Sequence, residues 1–359
     1  MVRPGAAPGT FLSFLVRDKF STSEVGKAMK KSGLVSMLVV VAQLAVGVMA
    51  EAQQPTKIPR IGYISGTGNA TDQGPYVEAL RHGLRDLGYI DGKNIVIEFR
   101  GAEGKLDRIP SLINELVKLK IDVLVLPILA AIRAARQANK TIPIVMVSGR
   151  DPVEDGLVNS LARPGGNITG LSTLSRDLAG KRFELLTEVL PQLSRVGILS
   201  KSDEPSAAAG LFEDYQTAAQ AFKIQIQTLD VRGPTPDLED AFRTAITGRL
   251  SAIITITSAP LFLQRKRIAD LAITNRLPTL YQGSAWVEAG GLLSYSNNDI
   301  EAFRRAAVYV DKILKGAKPG ELPIERPTRF EFVINLKTAK QIGLTIPPNV
   351  LARADKVIK

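Results

Sequence analysis

The chain has 359 residues, of which 45% are hydrophobic and 23% charged, which is enough for about two domains with sizeable cores. It contains no cysteine, which excludes disulfides, thiolate catalysis and cysteine-ligated metal centres, and its single histidine, His82, cannot form a histidine-rich metal site. The formal net charge of +11 is spread along the chain without the interleaved basic and aromatic residues typical of nucleic-acid binding, so we expect no metal and no nucleic-acid partner.

Residues 29–52 have the pattern of an export signal. Lys30 and Lys31 precede an apolar run, Leu34 to Val48, which is too short for a comfortable membrane span. The small residues around position 51 predict cleavage after Ala52, and an uncleaved membrane anchor is the alternative.

Residues 1–28 fit neither a signal nor a domain, and we interpret them as a non-native extension upstream of Met29. The predicted mature protein begins near Gln53 and has no cysteine there to carry a lipid. We therefore expect a protein that is free in the periplasm.

From Ile58 to Val147 the sequence alternates between apolar strands and amphipathic helices. The predicted strands are Ile58–Ser65, Asn94–Phe99, Asp122–Leu126 and Ile142–Val147, and the predicted helices are Pro75–Leu87, Leu106–Leu119 and Ala130–Ala138. This alternation predicts a parallel sheet with right-handed crossovers. The loop Gly66–Thr71 matches a dinucleotide-binding fingerprint only in part, so no cofactor is expected.

The stretch Asp151–Thr173 contains a Pro-Gly-Gly-Asn cluster, which stops a helix and turns the chain. We interpret it as the crossover between two similar α/β lobes, with Ile168–Thr173 as a strand of the second lobe. An ordinary surface loop inside one larger sheet is the alternative. A ligand cleft is expected at the crossing.

The second half repeats the alternation. Its predicted strands are Arg195–Leu199, Gln225–Val231, Ala252–Ile256, Pro278–Tyr281 and Gly291–Tyr295, and its predicted helices are Leu178–Val189, Ala207–Phe222, Leu238–Thr247 and Leu261–Asn275. Helix Ile300–Lys315 then returns to the first lobe and strand Arg329–Ile334 to the second. The predicted lobes are residues 57–166 plus 297–327 and residues 167–296 plus 328–359, joined by a three-segment hinge suited to closure.

Several segments resemble one known family, most specifically LARPGGNITG (Leu161–Gly170) and INLKTAKQIGLTIPP (Ile334–Pro348). From about Ile58 to Ile358 the chain is similar to the ABC-transporter substrate-binding proteins typified by bacterial tryptophan and tyrosine importers. The resemblance implies the α/β fold of a type I periplasmic binding protein: two Rossmann-like lobes with parallel sheets, a three-segment hinge and a ligand clamped between the lobes.

The resemblance also implies a function. We expect the protein to capture a small molecule, amino-acid-like or a carboxylate, for the ABC permease and ATPase subunits in the inner membrane. A periplasmic sensing module for a membrane receptor is the alternative. We expect a monomer. We also expect that the protein is not an enzyme, because the sequence contains no nucleophile elbow and no metal-ligand cluster.

Candidate ligand-binding residues come from loops at the carboxyl ends of strands, where open α/β sheets bind small molecules. They are Ser65, Thr67, Ser148, Arg150, Asp151, Thr169, Ser258, Gln282, Ser284 and Tyr295. Asp151 could equally cap the following turn, and Thr169 could be purely structural. Trp286, the only tryptophan, could stack on a ligand, but core packing is the favoured interpretation.

The chain departs from the family pattern at two turns. Pro127–Ala130 replaces a Gly-Thr-Pro-like turn, and Thr257–Pro260 replaces a turn that contains an aspartate. An acidic partner for a ligand amino group is therefore not expected. Arg150 instead suggests an anionic ligand, because a guanidinium pairs well with a carboxylate; a solvent-facing Arg150 is the alternative.

Overall fold

The computed structural model describes residues 57–149, 151–172, 178–201, 205–233, 235–326 and 329–359. Residues 58–359 form one compact unit. The predicted extension, the predicted signal and Arg150 lie outside the described residues.

The described residues alternate between strands and helices as the sequence predicts. The strands are β1 (Arg60–Ser65), β2 (Val96–Gly101), β3 (Val123–Leu126), β4 (Ile144–Ser148), β5 (Ile168–Ser172), β6 (Arg195–Lys201), β7 (Gln225–Val231), β8 (Ala252–Thr255), β9 (Thr279–Tyr281), β10 (Leu293–Asn297), β11 (Phe330–Asn335) and β12 (Lys356–Ile358). The helices are α1 (Pro75–Asp86), α2 (Ile109–Lys118), α3 (Leu129–Ala138), α4 (Leu178–Val189), α5 (Pro205–Ala221), α6 (Leu238–Thr247), α7 (Ala259–Leu263), α8 (Arg265–Thr274), α9 (Ser284–Glu288), α10 (Asp299–Leu314), α11 (Leu336–Ile342) and α12 (Pro348–Leu351).

The first lobe is built on a five-stranded parallel sheet in the order β2-β1-β3-β4-β5. The prediction that β5 belongs to the second lobe is wrong, because β5 pairs with β4 along its whole length. Asn167 sets this register: its carbonyl accepts from the Ile144 N–H at 2.8 Å, and its side chain donates to the Ile142 carbonyl at 2.7 Å. The loop before β5 therefore connects two strands of one sheet, and the chain leaves that sheet only after Ser172.

The second lobe is built on a seven-stranded sheet in the order β12-β11-β10-β9-β8-β6-β7. All its pairings are parallel except that between β10 and β11, which is antiparallel. This reversal follows from the excursion of the chain into the first lobe between the two strands. The helix predicted over Leu261–Asn275 is interrupted at Gln264 and forms α7 and α8.

Helix α10 returns the chain to the first lobe, where Phe303, Ala306 and Val310 are buried in the same core as Val77 and Leu80 of α1. Helix α10 begins and ends within one residue of the predicted bounds, Ile300 and Lys315, because both ends are marked in the sequence. The Asn298 side chain accepts from the Glu301 N–H at 3.0 Å, and the helix ends at Leu314 before a glycine turn.

The third connecting segment between the lobes lies between α10 and β11, and Glu325 attaches it to the first lobe. Its N–H donates to the Gly170 carbonyl at 3.0 Å, and its carbonyl accepts from the Ser172 N–H at 2.9 Å. Arg305 of α10 donates to both oxygens of its carboxylate, at 2.9 and 2.8 Å. The third segment thus runs beside β5 before the chain enters the second sheet at Phe330.

Gly83 allows α1 and α10 to pack closely. A Cβ at this position would lie 2.4 Å from the Arg304 carbonyl oxygen and 2.8 Å from the Ala307 Cβ. We expect Gly83→Ala to lower the free energy of unfolding by about 1–3 kcal/mol, because the backbone of α10 would have to shift.

Gly180 of α4 is the matched control, since a Cβ there would meet nothing within 4 Å. Gly180→Ala should raise the free energy of unfolding by about 0.5–1 kcal/mol, the helix propensity gain of alanine over glycine. Urea denaturation of both variants measures the sign of the change in the free energy of unfolding for each substitution. Equal effects of the two substitutions would contradict the close packing of α1 on α10.

Candidate functional site

A cavity of about 610 Å³ lies between the two lobes. Its walls are formed by the loops that follow β1, β3 and β4 on one side and β8 and β9 on the other, together with the end of β10. Because both sheets present the carboxyl ends of their parallel strands to this cavity, it occupies the position where open α/β sheets bind ligands.

Five of the ten residues predicted from the sequence line this cavity, namely Ser65, Thr67, Ser148, Ser258 and Gln282. Ser65 also has a local role, since its Oγ accepts from the Gly68 N–H at 2.8 Å and holds the first loop. The Ser258 Oγ is buried and has no hydrogen-bond partner among the described residues. Contact of these five residues with a ligand stays a prediction.

The other described candidates lie outside the cavity lining. Asp151 caps the turn that follows it, because its Oδ1 accepts from the Val153 N–H at 2.8 Å. Thr169 is fully buried and donates to the Leu322 carbonyl at 2.8 Å, which fixes the third segment against β5. Ser284 begins the short helix α9, between two residues that do line the cavity. The Tyr295 ring stacks on Phe330 at 5.9 Å.

Arg182 lines the cavity, although it was not among the predicted residues. It projects from the core-facing side of α4 and is 0% exposed. Its Nε donates to the Tyr295 carbonyl at 2.9 Å, and one terminal nitrogen donates to the Tyr215 hydroxyl at 2.8 Å. The other terminal nitrogen has no partner within the described residues. A cationic side chain at an apolar position of a helical stripe was the sequence signal that could have identified Arg182.

Asp299 is a second charged residue of the lining that sequence reasoning missed. Its described hydrogen bond is from the Tyr76 hydroxyl, at 3.4 Å, and no cation pairs with it among the described residues. Burial raises the pKa of Asp299 to about 6, and the bond from Tyr76 opposes that rise. The sequence feature that could have identified Asp299 is its position at the start of α10, directly after the chain crosses from the second lobe back to the first.

Aromatic rings face the cavity from both lobes. Tyr63, Tyr76 and Phe303 form a cluster in the first lobe, with Tyr76 stacked on Phe303 at 4.9 Å. Phe262 and Trp286 form the opposite wall, with their ring centroids 5.7 Å apart. Trp286 is packed in the core, as favoured from the sequence, but its indole also borders the cavity. The arrangement offers an apolar, aromatic space between one buried cation and one half-buried acid.

Comparison with known proteins assigns the family. Residues 69–358 match the model of a family described as ABC transporter substrate binding protein. The chain belongs to this family. The two-lobed fold of type I periplasmic binding proteins, expected from the resemblance of the sequence, is confirmed by the two sheets and by structural relatives.

Individual relatives of this substrate-binding protein include one curated sequence and two solved structures. A tyrosine-binding protein of Clostridioides difficile strain R20291 is 26% identical over 264 residues, covering 73% of this chain and 74% of the relative. A conserved domain protein from Vibrio cholerae is 28% identical with a TM-score of 0.76, covering 84% of this chain and 100% of the other. An ABC domain from Streptococcus pneumonia in complex with L-Trp is 25% identical with a TM-score of 0.75, covering 84% and 99%.

Within the part of the chain that the structure describes, no helix has both the length and the apolar character needed to cross a membrane. The same residues contain no cluster of three or more side chains suited to holding a metal ion.

The raised pKa of Asp299 has a consequence for stability without ligand. A carboxyl with a folded pKa of about 6 and an ordinary value of 3.8 destabilises the fold increasingly as the pH rises from about 4 to about 6. We expect Asp299→Asn to be more stable than the wild type at pH 7, and the difference to disappear towards pH 4. The difference in unfolding temperature between the variant and the wild type is measured across this pH range. The control is Asp107→Asn, a substitution of the same kind at an exposed residue. A wild type that stays as stable as the variant at every pH would contradict the raised pKa.

Proposed function

We propose that the protein is the solute-binding component of an ABC importer and that its ligand is an aromatic α-amino acid held between the lobes. The observation that carries this proposal is that one cavity is lined by two charged residues without a counter-charge among the described residues: Arg182, which has a buried terminal nitrogen without a hydrogen-bond partner there, and Asp299.

Neither charge is paired with a counter-charge among the described residues. A buried ionic group without a counter-charge destabilises a protein by several kcal/mol, at the order of magnitude typical for removing one partner of a buried pair, and this cost is larger for the fully buried Arg182 than for the half-buried Asp299. A ligand carboxylate would accept from the free Arg182 nitrogen, and charge-assisted bonds of this kind are among the strongest available. A ligand ammonium would donate to Asp299. A zwitterionic amino acid supplies both groups from one carbon atom.

The side chain of such a ligand has an aromatic environment. Rings from both lobes border the cavity, and stacked or edge-to-face contacts add to the apolar area that is buried. The relatives support this choice, since one is named a tyrosine-binding protein and another was solved with L-Trp. The ligand proposal does not depend on Arg150, which stays a prediction.

The positions of the two charges support closure as the mechanism of capture. Arg182 belongs to the second lobe, whereas Asp299 begins the helix that packs in the first. A ligand that pairs with both is bound best when the lobes are close, and so it shifts the equilibrium towards the closed form. The closed form would then be recognised by the permease. This role requires export, which residues 29–52 predict.

The test of the ligand is a calorimetric titration with L-tryptophan, L-tyrosine and L-phenylalanine, each compared with its primary amide and its N-acetyl derivative. The free amino acid should bind most tightly. Arg182→Met should weaken its binding about 10- to 100-fold, the range for loss of a hydrogen bond to a charged group. Arg133→Met is the matched control, since Arg133 also lines the cavity but already pairs with Asp155 at 3.3 Å. Equal binding of the acid and the amide would refute the carboxylate site.

The binding of the amino group should depend on pH. Asp299 must be ionised to accept from an ammonium, and its pKa in the empty protein is about 6. Affinity should therefore fall as the pH is lowered from 7 to 5, with a proton taken up on release of the ligand. In Asp299→Asn the affinity should be low and nearly independent of pH over the same range. A wild-type affinity that is constant between pH 5 and 7 would exclude Asp299 as the ammonium partner.

A further inference from the structure

We propose that Tyr215 is the positioning residue of the carboxylate site, orienting both Arg182 and Gln282 from behind the cavity wall. The inference rests on the proposed function, because it assigns to Tyr215 the specificity for a free carboxylate. Tyr215 does not line the cavity and is 0% exposed.

The hydroxyl of Tyr215 accepts two hydrogen bonds from two residues of the lining. One terminal nitrogen of Arg182 donates to it at 2.8 Å, and Nε2 of Gln282 donates to it at 3.2 Å. A phenol oxygen has two lone pairs, and both are occupied by these donors. One buried oxygen atom therefore fixes a side chain from α4 and a side chain from the end of β9.

The bond to Tyr215 also orients the Gln282 amide. Its Nε2 is directed to Tyr215, so its Oε1 points the other way and accepts from the Thr257 N–H at 3.2 Å. The hydrogen bonds thus connect Arg182, Tyr215, Gln282 and Thr257 in one network. This network joins α4, α5 and the loops after β8 and β9.

For Arg182, the bond to Tyr215 determines which part of the guanidinium is available to a ligand. The group is planar, so two fixed donors define the direction of the third nitrogen. Nε is fixed by the Tyr295 carbonyl at 2.9 Å and one terminal nitrogen by Tyr215. The nitrogen that remains free is the one without a partner among the described residues. Without the hydroxyl, the guanidinium keeps a single anchor and can rotate about it.

The packing of the Tyr215 ring separates this positioning role from a general role in the core. The ring meets Phe183 edge to face, with centroids 5.9 Å apart, inside the apolar core of the second lobe. Phenylalanine can keep that contact. Tyr215→Phe therefore removes the two hydrogen bonds and leaves the ring in place.

The experiment measures the preference for the free acid over the amide. L-tryptophan and L-tryptophanamide are titrated into the wild type and Tyr215→Phe, with L-tyrosine or L-phenylalanine and its amide used instead if that acid binds more tightly. We expect the variant to bind the acid about tenfold more weakly and the amide within about twofold of the wild type, as for loss of one hydrogen bond to a charged group. Tyr89→Phe is the matched control, because the Tyr89 hydroxyl donates to Asp311 at 2.9 Å away from the cavity. It should change neither affinity.

A second variant keeps the inference open to refutation if Tyr215→Phe does not fold. Phe183→Leu removes the edge-to-face partner of the Tyr215 ring, outside the cavity lining, and leaves the hydroxyl of Tyr215 in place to bond Arg182. The preference for the acid should therefore persist within about threefold, less than one hydrogen bond to a charged group provides. Loss of the preference in Phe183→Leu would overturn the inference, because the packing of the ring and not its hydroxyl would then carry the effect. Equal weakening of acid and amide binding in Tyr215→Phe would also overturn the inference, and so would unchanged binding of both. In either case the proposed ligand would stand. A wild type without a preference would overturn the proposed ligand itself.

Discussion

The fold buries a guanidinium, that of Arg182, without a counter-charge among the described residues, and the arrangement of the site follows from this constraint. Buried cations are tolerated only when hydrogen bonds or a partner charge compensate them. Here the fold supplies part of the compensation through a strand carbonyl and a phenol oxygen. One terminal nitrogen of this cavity-lining residue has no partner among the described residues. A matching anion would supply the missing partner, which is the basis of the proposed carboxylate site.

The second charge of the site, that of Asp299, is negative and lies in the first lobe, opposite Arg182. Asp299 occupies the first turn of α10, which the chain reaches only by crossing back from the second sheet at β10. Residues far apart in the sequence are therefore brought to one cavity by the crossing itself. The two walls of aromatic rings follow the same division, with one cluster in each lobe. A ligand that pairs with one lobe alone would leave the other charge without a partner, so in the proposed function a ligand complementary to both lobes would also favour closure.

Much of the fold could be predicted from the sequence, and the remainder has physical reasons. Alternating apolar runs and helical stripes identify elements because their periodicity is local. The partner of β5 could not be inferred in this way, since its place beside β4 depends on hydrogen bonds between Asn167 and the Ile142–Ile144 segment. The loops of the site were predictable because parallel strands place their carboxyl ends at one edge. Arg182 and Asp299 were missed because both lie on helices, where a charged residue is usually solvated.

The attachment of the connecting segments limits how the lobes can move. The end of β5, where the first connection begins, is bonded to the third connecting segment on the first lobe, because the Ser172 N–H donates to the Glu325 carbonyl. Arg305 holds the Glu325 carboxylate through both oxygens, so the third segment is fixed to α10 at this residue. Asn298 caps the same helix as the second segment arrives. The described residues at which the three connections meet the first lobe, Ser172, Asn298 and Glu325, are thus all hydrogen-bonded to that lobe, which carries Asp299. Closure of the proposed kind would then move the second lobe as a unit, and Arg182 would keep its bonds to Tyr295 and Tyr215 while it approaches the ligand.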